Sequence, residues 1–135
     1  FNDTFRSYFD HLIEDDVLSA DIDTEFSPRV TQNGYDTEVE NLSGGEKTSV
    51  ALAYRLALNY TINDLLDDVK TRNLLILDEP TDGFSAEQLD RLRDVLDKLD
   101  TEQTIIVSHE QKMEGITERI LNVTKRNNTS VVTSN

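Results

Sequence analysis

Three short stretches carry residue types that could work on a phosphate: Asp78-Glu79, Ser43-Gly44-Gly45-Glu46 and Ser108-His109. The two carboxylates end the apolar run Leu74-Leu75-Ile76-Leu77 and are followed at once by Pro80-Thr81. Adjacent acids repel one another and resist burial unless a cation or a proton-transfer task uses them. An acidic turn after a strand would account for the pair. So would a metal-and-phosphate site, with Asp78 facing Mg²⁺ and Glu79 facing the attacking water. At Ser43–Glu46, glycines open a helix, where unpaired N–H groups and the macrodipole favour an anion and backbone can come close to it. The same residues form a capping box that needs no ligand. His109 follows the run Thr104-Ile105-Ile106-Val107 and could bond a phosphate oxygen, although a histidine after a strand can equally be structural.

Each stretch needs an element to hold it. The uninterrupted run before Asp78 predicts a strand covered on both faces, as in a parallel sheet flanked by helices. Such a strand delivers the residues after it to the sheet edge where α/β folds place their ligands. Thr104–Val107 predicts a second buried strand. Ser43 and Glu46 stand in capping-box positions, and Val50, Ala51, Leu52, Tyr54, Leu56, Ala57 and Leu58 predict a mostly buried helix to Leu58. Arg55 would interrupt that surface and need a carboxylate or water. Asn63 to Lys70 prolongs the helical region or forms a short second helix. Ser85 and Gln88 repeat the capping box before Leu89, Leu92, Val95, Leu96 and Leu99, which predict a helix ending near Asp100. Its Glu87/Arg91 and Asp94/Lys98 pairs read as a solvated face.

Elsewhere, Phe1, Phe5, Tyr8, Phe9, Leu12 and Ile13 predict an amphipathic helix over 1–19. Asn33-Gly34 predicts a type I′ hairpin within 29–39. Lys112 to Glu118 reads as helical, and Ile120–Val123 with Val131-Val132 as closing strands about Asn127-Asn128.

The 135 residues suffice for one domain with a real core. Acids outnumber bases by 27 to 13, for a formal charge of −14. That argues against DNA or an anionic membrane as a direct ligand of the bulk surface. There is no cysteine, hence no disulfide framework or thiolate metal site, and an intracellular setting is expected. No apolar run is long enough to span a bilayer as a helix. A chain that opens on Phe1 and whose single methionine is Met113 reads as a piece of something longer.

Order and spacing tie the three stretches together. Leu42-Ser43-Gly44-Gly45-Glu46 resembles the signature motif of ABC-type ATPases, Leu74–Glu79 resembles their Walker B strand, and His109 their switch histidine. The resemblance covers about residues 41 to 123. Glu46, where transporter ATPases usually carry glutamine, resembles the chromosome-maintenance and repair branch. Asp78-Glu79-Pro80-Thr81 and Leu52-Ala53-Tyr54-Arg55-Leu56-Ala57-Leu58 resemble the double-strand-break repair ATPase family Rad-fifty. The loop after Thr81 departs from that family, with Phe84-Ser85 where Leu-Asp is usual. No Gly-Lys pair occurs, so the chain has no phosphate-cradling Walker A loop.

The resemblance implies an α/β fold, the C-terminal half of an ABC-type P-loop ATPase head, with a mostly parallel sheet flanked by helices. It implies that 1–19 is the base of a returning coiled coil and 20–135 the C-terminal lobe. It implies ATP and Mg²⁺ as ligands, Asp78 at the metal, and Glu79 and His109 as catalytic groups. Ser43, Gly44, Gly45 and Glu46 would face the ATP of an opposite head, with Asp82 or Ser85 in the D-loop role. The implied partners are an N-terminal Walker A lobe, a second head in an ATP-dependent homodimer, a Mre-eleven-type nuclease, and DNA through the assembled complex, with no membrane. The setting would be cytoplasm or nucleoid, or the nucleus in a eukaryote. A chromosome-maintenance head, a transporter subunit and a nucleotide-gated clamp with little turnover are the alternatives.

Overall fold

The computed structural model describes residues 1–66, 74–99 and 101–134. Helix α1 (Asn2–Leu12) leads into a three-stranded antiparallel sheet of β1 (Leu18–Ile22), β2 (Pro28–Gln32) and β3 (Tyr35–Thr37). Helix α2 (Gly44–Leu65) comes next, then β4 (Leu74–Asp78), helix α3 (Ala86–Asp97) and β5 (Gln103–Val107). Strands β4 and β5 pair in parallel, with Asp78 in register with Val107. A hairpin of β6 (Leu121–Arg126) and β7 (Thr129–Ser134) closes the chain. The fold is thus α/β, as expected, but among the described residues only β4 and β5 are parallel and helices cover one face of that pair, while the remaining strands are antiparallel.

One core joins the helices, β1, β2, β4 and β5, whereas β3 and the β6–β7 hairpin add no residue to it. Phe5, Phe9 and Leu12 of α1 are fully buried and meet Leu52, Ala53 and Leu56 of α2 and Leu92 and Val95 of α3. Leu75 and Leu77 from the inner face of β4, and Leu18, Ala20 and Val30 from the antiparallel sheet, belong to the same cluster. Tyr54 ties α2 to the start of α1: its ring meets Phe1 edge-on at 5.3 Å, and its hydroxyl donates to the Phe26 carbonyl at 3.1 Å. Burial of side chains of this size is worth about 1.5–3 kcal/mol each, and this burial holds the helices against β4.

Several elements differ from expectation. Helix α1 stops at Leu12 rather than near Ser19, and Leu18-Ser19 enter β1, paired with Gln32 and Thr31. The acids Glu14-Asp15-Asp16 offer no apolar face to continue a helix, and the Asp15 carboxylate accepts the Val17 N–H at 2.9 Å, a local turn that competes with it. Among the described residues, strand β4 is covered on one face only. Leu75 and Leu77 are buried, whereas Leu74, Ile76 and Asp78 are exposed. Strand β5 is mostly exposed as well, with Ile106 packed on the core. Arg55 points to solvent, so it needs no buried carboxylate. The predicted helix at 112–118 is a 3₁₀ turn over Gln111–Gly115. Helix α2 runs on to Leu65; the remainder of the predicted stretch to Lys70, and Asp100, lie outside the described residues.

Candidate nucleotide site

The two capping boxes form as the sequence predicts. The Ser43 hydroxyl accepts the Glu46 N–H at 3.3 Å, and the Glu46 carboxylate accepts the Ser43 N–H at 2.7 Å. Ser43 and Gly44 are exposed at the tip of α2, while Gly45 is buried. A side chain on Gly45 would meet the Gly83 carbonyl oxygen at 2.9 Å and Gln88. Gly83 itself has φ +77°, a left-handed backbone that favours glycine. The loop after β4 therefore lies directly against the tip of α2. Thr48 strengthens the contact by donating to the Asp82 carbonyl at 2.7 Å, and Gln88 does so by donating to Ser49 at 3.3 Å. Ser85 is engaged as the cap of α3, accepting the Gln88 N–H at 3.2 Å, whereas the Asp82 side chain is exposed.

Parallel pairing of β4 and β5 brings the second group together. The Glu79 N–H donates to the Val107 carbonyl at 2.8 Å, extending the ladder by one bond. Glu79 has φ +45°, unusual for a residue with a side chain, where local strain of about 1–3 kcal/mol is typical. Its carboxylate is held at both oxygens, Oε1 by His109 Nδ1 at 2.8 Å and Oε2 by the Ser108 hydroxyl at 3.2 Å. The bond from His109, aided by its charge and by Ser108, keeps the Glu79 carboxyl below its ordinary value against some desolvation. The same bond and the Glu79 charge raise His109. Both groups remain open to solvent, with His109 82% exposed.

The flanking segments are laced to this pair. Glu110 accepts from the buried Thr81 hydroxyl at 3.2 Å and lies 3.5 Å from Lys112, which donates to the Phe84 carbonyl at 3.0 Å. The sequence marks Ser108 only together with His109 and gives it no role of its own. Its position beside His109 is visible there, but its bond to Glu79 exists only through the β4–β5 register.

Asp78 ends β4 with its side chain exposed. Among the described residues no group of three or more acids or histidines could hold a metal by itself. A magnesium ion that keeps its waters and takes most of its remaining ligands from substrate phosphates needs only one or two protein carboxylates, so Asp78 fits that ion. The chain thus brings together Glu79, His109 and Ser108 in one cluster, and Ser43–Glu46 with Gly83 in a second. Loop 80–85 bridges them.

Known proteins resemble this chain in sequence and in fold. A family model described as SbcC/RAD50-like, Walker B motif, matches residues 17–98. The chain is 31% identical over 132 residues to a DNA double-strand break repair Rad50 ATPase of Thermoplasma volcanium, covering 94% of this chain and 14% of that protein. It is 36% identical to the protein of the same description from Thermococcus kodakarensis, over 76% of this chain and 11% of that one. The chain therefore spans about one-seventh or less of the length of these relatives. A solved structure from work titled "Structural biochemistry of ATP-driven dimerization and DNA stimulated activation of SMC ATPases" superposes with a TM-score of 0.75. It is 22% identical, and the match covers 98% of this chain and 81% of that one, a likeness of fold.

Proposed function

The chain belongs to the SbcC/RAD50-like Walker B family, and from that premise we propose that it is the C-terminal half of an ATP-hydrolysing head in a double-strand-break repair ATPase. The observation that carries the reading is Glu79, a carboxylate at the end of a sheet strand, held ionised by His109 and Ser108 and open to water. An ionised carboxylate with unused lone pairs is what a general base requires.

Asp78, next to it, would hold magnesium together with the substrate's phosphates, and the ion would neutralise charge developing on the terminal phosphoryl group. Glu79 takes a proton from a water whose oxygen attacks the γ-phosphorus. The bond to the β–γ bridging oxygen breaks, leaving ADP and phosphate. With Nδ1 turned to Glu79, His109 has Nε2 left to donate to a γ-phosphate oxygen. The tip of α2, Ser43 to Gly45, exposed at Ser43 and Gly44 and with Glu46 completing its cap, docks on the γ-phosphate bound by a second head. The adjoining Asp82 completes that surface, in preference to Ser85, whose hydroxyl is committed to α3. Hydrolysis removes the anion the tip recognises, so chemistry is coupled to separation of the heads.

The grip on the triphosphate comes from a Walker A lobe that is not among these residues. The relatives' description, DNA double-strand break repair, supports extending the proposal to DNA ends; the motif resemblance adds a nuclease partner, an intracellular setting and α1 as the base of a coiled coil. In the complete protein, Glu79→Gln should lower turnover by about 10²–10⁴-fold and leave ATP-dependent head association intact. Steady-state hydrolysis alongside sedimentation checks both, and normal turnover would remove Glu79 from the mechanism.

A further inference from the structure

We propose that Ser108 is a positioning residue for the reaction, setting the orientation of the Glu79 carboxylate; the inference rests on the reading of Glu79 as the base. The Ser108 hydroxyl makes two bonds. It donates to Glu79 Oε2 at 3.2 Å and accepts the Glu110 backbone N–H at 3.1 Å. A hydroxyl carries one proton, and a backbone N–H can only donate. The bond from Glu110 therefore occupies a lone pair of Ser108 and leaves its proton for the carboxylate. Main chain, rather than a mobile side chain, thus sets the hydroxyl.

His109 holds the other oxygen, Oε1, at 2.8 Å. The last torsion of a glutamate is broad and soft, so a carboxylate bonded at one oxygen can still rotate. Bonded at both, from neighbouring residues of one rigid turn, it cannot. With the His109 backbone N–H also acting on the carboxylate, a lone-pair site still remains for water.

The turn that carries Ser108 is itself fastened to the loop after Glu79. Glu110 accepts from Thr81, which is fully buried, and Lys112 reaches the Phe84 carbonyl. The Glu79 main chain is fixed at its other end by the Val107 carbonyl. Ser108 thus closes a ring of contacts from which the Glu79 and His109 side chains stay exposed to a substrate. A displacement of about 1 Å in a catalytic group can cost about 10²-fold in rate, and loss of one anchor among several should cost less.

The test uses the complete protein with its phosphate-binding lobe and compares Ser108→Ala, Ser108→Thr, Glu79→Gln and the Glu79→Gln/Ser108→Ala double variant. Ser108→Ala is expected to lower kcat by about 5- to 30-fold, with KM for ATP, head association and melting temperature unchanged. Ser108→Thr, which keeps the hydroxyl, should restore most of the rate. In the Glu79→Gln background the alanine should have no further effect, because the group it positions is gone. An unchanged or raised kcat, a loss that tracks KM or melting temperature, no rescue by threonine, or additive effects in the double variant would each overturn the proposal. If Glu79→Gln itself turns over normally, the reading of the base falls, and this inference falls with it for that separate reason.

Discussion

At the scale of single residues, the site depends on Glu79 and His109 holding one another charged. Pairing lowers the Glu79 carboxyl and raises the His109 imidazole. The contribution of Glu79 is therefore present above the ordinary carboxylate range and lost as pH falls through its lowered value. That of His109 is complete below the ordinary imidazole value and lost as pH rises through its raised one. Both charges coexist from mildly acidic pH to just above the usual histidine range. Because the two groups are open to water, the link should weaken with salt. Titrated by NMR in the nucleotide-free protein, His109 should lose its proton above its ordinary value, and Glu79→Gln should move that midpoint down. A midpoint indifferent to the substitution would mean that the pair does not form in solution. Asp78, Glu79 and His109 can be picked out from the sequence because each comes after an apolar run. Ser108 cannot be given its part there, since the bond that defines it joins two strands far apart in the chain.

At the scale of elements, the tip of α2 combines a buried glycine with an exposed one, and the two should respond differently to the same change. A methyl group on Gly45 would press on the Gly83 carbonyl, which belongs to a loop bonded to Thr48. Gly45→Ala is expected to destabilise the protein by about 1–3 kcal/mol in a denaturant titration. A methyl on Gly44 meets nothing within 4 Å, and alanine in the first turn of a helix holds or slightly raises stability. If that open space is where a second head docks, Gly44→Ala should spare unfolding and yet weaken ATP-dependent association, measured by light scattering. Both capping boxes and the Asn33-Gly34 turn are legible because their bonds are local in sequence. Strand β1 is not. Leu18 and Ala20 alternate too briefly to mark a strand, and β1 exists through its pairing with β2, whose Val30 it faces at Ala20. The paired charges along α3 also give way to tertiary context, with Arg91 turned to Glu14 beyond α1 at 2.8 Å.

At the scale of the molecule, the parallel pair has an inner face covered by helices and an outer face that is not. Ile76 is 59% exposed and Val107 51%, with Leu74 and Ile105 beside them, and the β6–β7 hairpin exposes Leu121, Val123 and Val132. The run Leu74–Leu77 has the composition of a strand covered twice, and these residues supply only one of the two covers. Contiguous apolar surface on a sheet marks a contact with further protein. A sheet that continues into a phosphate-binding lobe, with its own helices laid over this face, would bury Ile76 and complete the nucleotide site at the same edge. The consequence is measurable in the complete protein. A lysine at an exposed position changes stability by no more than about 0.5 kcal/mol, whereas a lysine forced into a covered sheet face costs several. Ile76→Lys should therefore lower the stability of the complete protein by about 2–4 kcal/mol in denaturant unfolding and abolish ATP binding with it, although neither Glu79 nor His109 is touched. A change of a few tenths with ATP binding retained would mean that this face stays open to water and that the triphosphate is grasped elsewhere.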